Sequence, residues 1–151
     1  NYNEVLSLKI KKDKSPLTIA DLQSNQYIIK ELKLLNDEIP ILSVVSMFAS
    51  GKMTIRGAEE LRHKESDRIE KIVHLVTQFG GDITEFSDGF QIKGQLNPKQ
   101  PTIQTGYDHR IAMSAIIAAI GANVPVTLDS SDCINTSFPN FFDYIERLTT
   151  S

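Results

Sequence analysis

The apolar positions change their period several times along the chain, and each change predicts an element. Val5-Leu6-Ser7-Leu8-Lys9-Ile10 alternates like a half-buried strand, Lys11 to Pro16 reads as a polar turn, and Leu17 to Leu22 as a second short strand. Tyr27 to Leu35 mixes apolar and charged residues, and its type stays open. At Asp37-Glu38-Ile39-Pro40 the pattern sharpens, because acidic residues followed by proline mark a helix start. Ile41 to Ala49 is apolar almost all round, which predicts a buried helix ended by Gly51. Lys52 to Arg56 then alternates as a strand until Gly57 breaks it. From Ile69 the apolar residues fall at 69, 72, 73, 76 and 79, the helical period, and Gly80-Gly81 is the stop.

Further along, Asp82 to Phe86 and Phe90 to Lys93 flank Ser87-Asp88-Gly89, a hairpin signal. Thr102 to Thr105 reads as a short strand ending at Gly106. Ile111 to Ile120, rich in Ala and Ile and almost uncharged, reads as a second buried helix. Val124 to Asp129 is a further strand, and a terminal helix starts at Phe138 with Ser137 as its N-cap. A buried helix followed by a strand occurs twice, at 38–56 and at 109–128, each preceded by an acidic residue. Interleaved helices and strands with two uncharged helices predict a layered α/β or α+β domain, those helices shielded between sheets.

Composition narrows the function. A chain of 151 residues suffices for one well-buried domain or two very small ones. A formal charge of −3 gives no overall attraction to nucleic acid or a membrane surface, so any anion site must be local. No apolar run approaches a membrane span, and no signal peptide opens the chain, whose first residue is Asn1. The single cysteine, Cys133, excludes an internal disulfide and a cysteine-based metal cluster, and suits a reducing, cytoplasmic setting. No dispersed His/Cys/carboxylate set suggests a metal, and no glycine-rich phosphate loop is present.

Charge gathers instead at three predicted helix starts: Asp37-Glu38, Lys64-Glu65-Ser66-Asp67-Arg68 and Asp108-His109-Arg110. The 58–68 stretch packs eight ionisable side chains immediately before an amphipathic helix, where free N–H groups and the helix dipole favour an anion. Lys64 and Arg68 share one face if that helix begins early enough. Parallel strands delivering all three clusters to one edge would assemble carboxylates, a histidine, a lysine and two arginines. Two guanidiniums bind phosphate or carboxylate bidentately, and carboxylates and His109 among them supply proton-transfer groups. Singly, each has a plainer reading. Asp37 alone is a helix cap, His109 alone a structural or surface histidine, and Arg110 a partner for Asp108.

Together the motifs resemble a known family. Glu59 to Ile69, with its Lys-Glu-Ser-Asp-Arg core, is similar to the signature of the 5-enolpyruvylshikimate-3-phosphate synthases, or 3-phosphoshikimate 1-carboxyvinyltransferases. Asp37-Glu38-Ile39-Pro40, Asp108 to Met113 and Thr136 to Phe142 match in the family's order, so the resemblance covers residues 37–148. It implies a fold of two domains built from repeated βαβαββ units with the site in the cleft between them. This chain, 1–151, would be the C-terminal part of one domain, with the second domain absent and acting as its partner. The implied reaction transfers the enolpyruvyl group of phosphoenolpyruvate to the 5-hydroxyl of shikimate-3-phosphate and releases phosphate, in aromatic amino-acid biosynthesis, with no metal or cofactor.

By motif, Asp37 would take the proton of the attacking hydroxyl and Lys64 would contact that hydroxyl. Glu65 would exchange a proton with the methylene carbon. Arg68 and Arg110 would grip phosphoenolpyruvate, with Asp108 and His109 lining the same pocket. One departure is Thr136, where many members carry a lysine. Half of a cleft enzyme is expected to be inactive alone, because the remaining contacts and the exclusion of water are missing. The rival readings are the sister enolpyruvyl transferase acting on UDP-N-acetylglucosamine, and a non-catalytic binding or assembly module of the same fold.

Overall fold

The computed structural model describes residues 36–94, 96–97 and 100–150, together with the backbone of two short strands, β1 (Lys9–Ile10) and β2 (Pro16–Leu17). The chain divides into two units, residues 1–35 and 36–151. In the first, β1 and β2 pair antiparallel, Lys9 opposite Leu17 and Ile10 opposite Pro16. The remainder of the two strands expected at 5–10 and 17–22, and the undecided stretch 27–35, lie outside the described residues.

In the second unit a 3-10 turn, Asn36–Glu38, runs straight into α1 (Ile39–Phe48), with Pro40 in its first turn, where the missing N–H costs nothing. There follow β3 (Gly51–Ile55), a 3-10 turn at Glu59–His63, α2 (Arg68–Gln78), β4 (Asp82–Phe86) and β5 (Gly89–Gly94). Then come β6 (Thr102–Ile103), α3 (His109–Ala122), β7 (Thr127–Leu128), α4 (Asp132–Ser137) and α5 (Phe141–Thr149). Strand β5 lies between β3 and β4 and is antiparallel to both, with Met53 and Ile83 each opposite Ile92. Strands β3 and β4 therefore run the same way and are connected through α2. Strands β6 and β7 are parallel, with α3 as the crossover that parallel pairing requires. The order α1–β3–α2–β4–β5 supplies the last five elements of a βαβαββ unit, and β6–α3–β7 opens another.

Three helices and the sheet enclose the core. Helix α2 presents Ile69, Ile72, Leu75 and Val76 at the expected period, all fully buried with Phe90 and Ile92 of β5. Helices α1 and α3 pack against each other. Alanines 112, 115, 118 and 119 of α3, with Ser43 and Ser46 of α1, are buried residues small enough for a close approach. The two serine hydroxyls are satisfied within their own helix, donating to the carbonyls of Pro40 and Ser43 at 2.6 and 2.7 Å. The end of α1 rests on β5 so closely that a Cβ on Gly94 would meet the Ala49 carbonyl oxygen at 1.7 Å. A smaller cluster of Ala112, Ile134 and Phe141 joins α3, α4 and α5.

Several elements differ from the sequence expectation. The main sheet is antiparallel, so helix starts rather than parallel strand ends bring the charged clusters together. The strands expected at 102–105 and 124–129 pair over only two residues each, because β6 and β7 have only each other as partner among the described residues. Helix α4 was not expected, and Ser137 ends it instead of capping the terminal helix. The reason is Pro139. A residue before proline is disfavoured in the helical region, and Phe138 turns out at φ −144°, ψ 77°, so α5 starts only at Phe141.

Candidate functional site

The three charged clusters converge. Asp37 sits on the turn before α1, Arg68 is the first residue of α2, and Asp108 is the N-cap of α3. Arg68, fully buried, joins them. Its Nε donates to Asp108 Oδ2 at 2.8 Å, one Nη to Asp37 Oδ1 at 2.7 Å, and the other Nη to Glu65. Burial is the largest influence on Arg68 and opposes its charge. The bond and charge of Asp108, with Asp37 and Glu65, outweigh it, so its pKa is raised.

Asp108 is equally buried and answers four donors. One carboxylate oxygen accepts the N–H groups of Arg110 and Ile111, capping α3, and the other accepts Arg68 and the Ser66 hydroxyl. Asp67 caps α2 in the same way, accepting Glu70 N–H at 3.0 Å. The helix start expected to attract a foreign anion is thus occupied by a carboxylate of the chain itself, as is the start of α3. Helix α2 begins at Arg68, so Lys64 lies outside it in extended backbone, and the two side chains meet through Asp37 and not along a helix face.

Asp37 is the shared acceptor at the open side of the cluster. Lys64 Nζ lies 3.4 Å from Oδ1 and Arg110 Nη2 3.8 Å from Oδ2, and Arg110 Nη1 donates to the Asp37 carbonyl at 2.9 Å. Arg110 also reaches Glu38 at 3.5 Å; it does not pair with Asp108 as its sequence neighbourhood suggested. The Arg68 hydrogen bond above all, then the charges of Arg110 and Lys64, hold the Asp37 carboxyl below its ordinary value despite some burial. The carboxylates of Asp37, Glu38, Glu65 and Asp108 face the cations Lys64, Arg68 and Arg110. Lys64 and Arg110 keep 33% and 30% of their side chains open to solvent, whereas Arg68 keeps none. A ligand therefore meets Lys64 and Arg110 directly, and Arg68 only where the half-exposed Asp37 or Glu65 moves aside.

Asp37, Glu38 and Arg110 also border a groove of about 260 Å³ whose other walls are apolar except for Ser114, among them Ile41, Met113, Ile117 and Phe138. His109 does not face it. Consecutive residues at the start of a helix diverge, and His109 lines a separate depression with Tyr107, Cys133, Thr136 and Ser137. Six of the seven residues singled out in the sequence are thus brought together, and His109 is set to one side. The Cys133 thiol has its pKa raised by burial, which fits an inert side chain.

Sequence reading missed two supports of this site. Asp129 accepts Thr105 N–H at 2.9 Å, the Thr105 hydroxyl at 2.6 Å and Gly106 N–H at 3.3 Å, holding the turn that carries Tyr107 and Asp108. Tyr107 takes a left-handed φ of 60° there. Ser66 stood in the charged motif without a role and turns out to donate to Asp108 at 3.1 Å. Its signal was present, a hydroxyl among ionised neighbours, whereas nothing local marked Asp129.

The family model for EPSP synthase (3-phosphoshikimate 1-carboxyvinyltransferase) matches residues 4–145. A 3-phosphoshikimate 1-carboxyvinyltransferase of Pelodictyon phaeoclathratiforme is 42% identical over 135 residues, which is 88% of this chain and 30% of that protein. The same enzyme of Aquifex aeolicus is 39% identical over 148 residues, 98% of this chain and 34% of its own length. An EPSP synthase structure from Acinetobacter baumannii superposes with a TM-score of 0.74 at 33% identity, over 79% of this chain and 28% of that one. The chain spans about a third or less of the length of these relatives.

Proposed function

Because the chain belongs to the EPSP synthase family, we propose that its charged cluster is one wall of a site that transfers an enolpyruvyl group from phosphoenolpyruvate to shikimate-3-phosphate. The observation that carries this reading is the convergence of Asp37, Lys64, Glu65, Arg68 and Arg110 from three separated segments around one shared carboxylate.

In the reaction the hydroxyl oxygen of shikimate-3-phosphate bonds to C2 of phosphoenolpyruvate. Asp37 takes the hydroxyl proton and Glu65 gives one to the methylene carbon, C3. In the second half the C2–O bond to phosphate breaks, phosphate leaves with the proton that Asp37 had taken, and C3 returns a proton to Glu65. Asp37 is a weak base while Arg68, Lys64 and Arg110 surround it. Arriving phosphate and carboxylate groups compete for Lys64 and Arg110, which raises the basicity of Asp37 as the substrates bind. Arg110 grips phosphoenolpyruvate from one side of the α3 start. His109 and Thr136 share the separate depression on the other side of that helix start. Thr136 makes that side less cationic than a lysine would. Asp108 holds Arg68 and the helix start in place.

The remaining walls come from the rest of the synthase. Val45 and Phe48 of α1 and Ile120 of α3 stand 60%, 45% and 41% exposed, an apolar face that fits burial under further chain. The test is phosphate release from shikimate-3-phosphate plus phosphoenolpyruvate, by the chain alone and by the chain completed with the remainder of a full-length relative. Turnover is expected only in the completed protein and lost with Arg110→Ala. Turnover with UDP-N-acetylglucosamine in place of shikimate-3-phosphate would favour the sister transferase. A folded, completed protein with no turnover on either would favour a binding module.

A further inference from the structure

Lys64 and Glu65 stand in a segment without regular structure, between the 3-10 turn at 59–63 and the first turn of α2, yet they meet Asp37 and Arg68 within hydrogen-bond or ion-pair range. Something must hold that segment. The chain from Arg56 to Asp67, which includes it, is fastened to the far tip of the β4–β5 hairpin at two places. At its start, the Asp88 carboxylate accepts Arg56 Nε at 2.7 Å and Gly57 N–H at 3.0 Å, while the Asp88 carbonyl accepts Ala58 N–H at 2.9 Å. In its middle, Arg62 donates Nε to the Ser87 carbonyl at 2.8 Å and Nη2 to the Phe86 carbonyl and the Glu85 carboxylate at 2.7 and 2.8 Å.

The remaining Arg62 nitrogen, Nη1, donates to Asp67 Oδ2 at 2.8 Å. Asp67 is also the cap of α2, so this bond closes a short loop whose ends are fixed to the hairpin and to the helix. Only residues 63–66 lie between those ends. They include Lys64 and Glu65, together with Ser66, which touches Asp108. Every polar group of the Arg62 guanidinium is thus directed at fixing this segment, and none touches Asp37, Glu65, Arg68, Asp108 or Arg110.

We propose that Arg62 is a positioning residue for the reaction: through Asp67 and the hairpin tip it sets where Lys64 and Glu65 stand. The inference deepens the enolpyruvyl-transfer reading and rests on it for the chemistry, but the geometry it asserts is measurable without turnover. A planar fork with four acceptors cannot be replaced by an ammonium without losing directions, so Arg62→Lys keeps the charge and restores the alignment only in part.

Two measurements decide it. The first is the backbone 15N order parameter of residues 63–66 in the chain itself. Arg62→Gln is expected to drop these from about 0.85 to below about 0.6, with α3 unchanged and Arg62→Lys between. Glu85→Gln, which leaves the carbonyl and Asp67 bonds, gives a smaller drop and serves if Arg62→Gln does not fold. The second is steady-state kinetics of the completed synthase, in which kcat of Arg62→Gln falls at least about tenfold while both KM values stay within about threefold. Unchanged order parameters at 63–66 in both Arg62→Gln and Glu85→Gln overturn the proposal, as does an unchanged kcat. If the unsubstituted completed protein has no turnover, the functional reading has failed, and the order parameters alone decide whether Arg62 sets the segment.

Discussion

Asp108→Ala removes the most heavily engaged buried group in the site, and its consequence can be worked from the contacts. The carboxylate caps α3 through two N–H groups, and losing a cap costs about 1 kcal/mol. It also leaves the fully buried Arg68 without its buried partner. Removing one member of a buried ion pair costs about 3–5 kcal/mol when the other is stranded. Arg68 keeps Asp37 and Glu65, so about 2–3 kcal/mol of that applies, and the total is about 3–4 kcal/mol. Asp108→Asn retains a capping oxygen and loses about 1 kcal/mol less. Adding Arg68→Met to Asp108→Ala removes the stranded charge. It exposes only Asp37 and Glu65, which are half open to water, so the double variant is expected to recover about 1–2 kcal/mol. Equilibrium urea denaturation followed by circular dichroism reads all three, together with Arg68→Met alone. A loss below about 1 kcal/mol for Asp108→Ala, or a double variant as unstable as the sum of its singles, would refute the reasoning.

Two further perturbations follow from the same turn and its neighbours. Tyr107 is 73% exposed in a left-handed conformation, so Tyr107→Asn loses little packing and relieves strain. A gain of about 0.5–1 kcal/mol is expected in the melting curve, and a loss would contradict the strain. Asp129 has its pKa lowered: burial, the largest influence, would raise it, but the Thr105 hydroxyl and the N–H groups of Thr105, Ser130 and Gly106 outweigh it. Below the unfolded value of about 3.9 the unfolded state binds more protons, so the stability that Asp129 contributes is present above that pH. It is lost as pH falls through the folded value. Asp129→Asn should be less stable than the unsubstituted chain at pH 7, and the gap should close on acidification. Parallel stability curves down to low pH would remove Asp129 from the account.

Where the sequence was legible, the reason is local. The 69–79 periodicity and Gly80-Gly81 placed α2 because its apolar face and its stop are both written within a dozen residues. Asp-Gly at 88–89 placed the hairpin because the turn chemistry is local as well. The pairing of charges was not legible. Arg110 stands two residues from Asp108 in sequence but turns to Asp37 and Glu38, because Asp108 is already occupied by the helix start and by Arg68, forty residues away. Adjacency groups His109 with Arg110, and the helical turn separates them. Asp129 and Arg62 reach across 23 to 25 positions to segments that the motifs do not mention. Short β6 and β7 misled for a different reason: alternation measures which residues suit a strand, not whether a partner extends the pairing.

The most direct test of the central claim, that this cluster performs proton transfer to the enolpyruvyl group, is Glu65→Gln in the completed synthase in deuterated water. The unsubstituted protein should release phosphate and place deuterium on the methylene carbon of the enolpyruvyl product. Glu65→Gln should still bind phosphoenolpyruvate, through Arg110, while phosphate release falls by at least about a hundredfold and deuterium incorporation ceases. Release within twofold of the unsubstituted rate, with deuterium still incorporated, would take the reaction away from these residues.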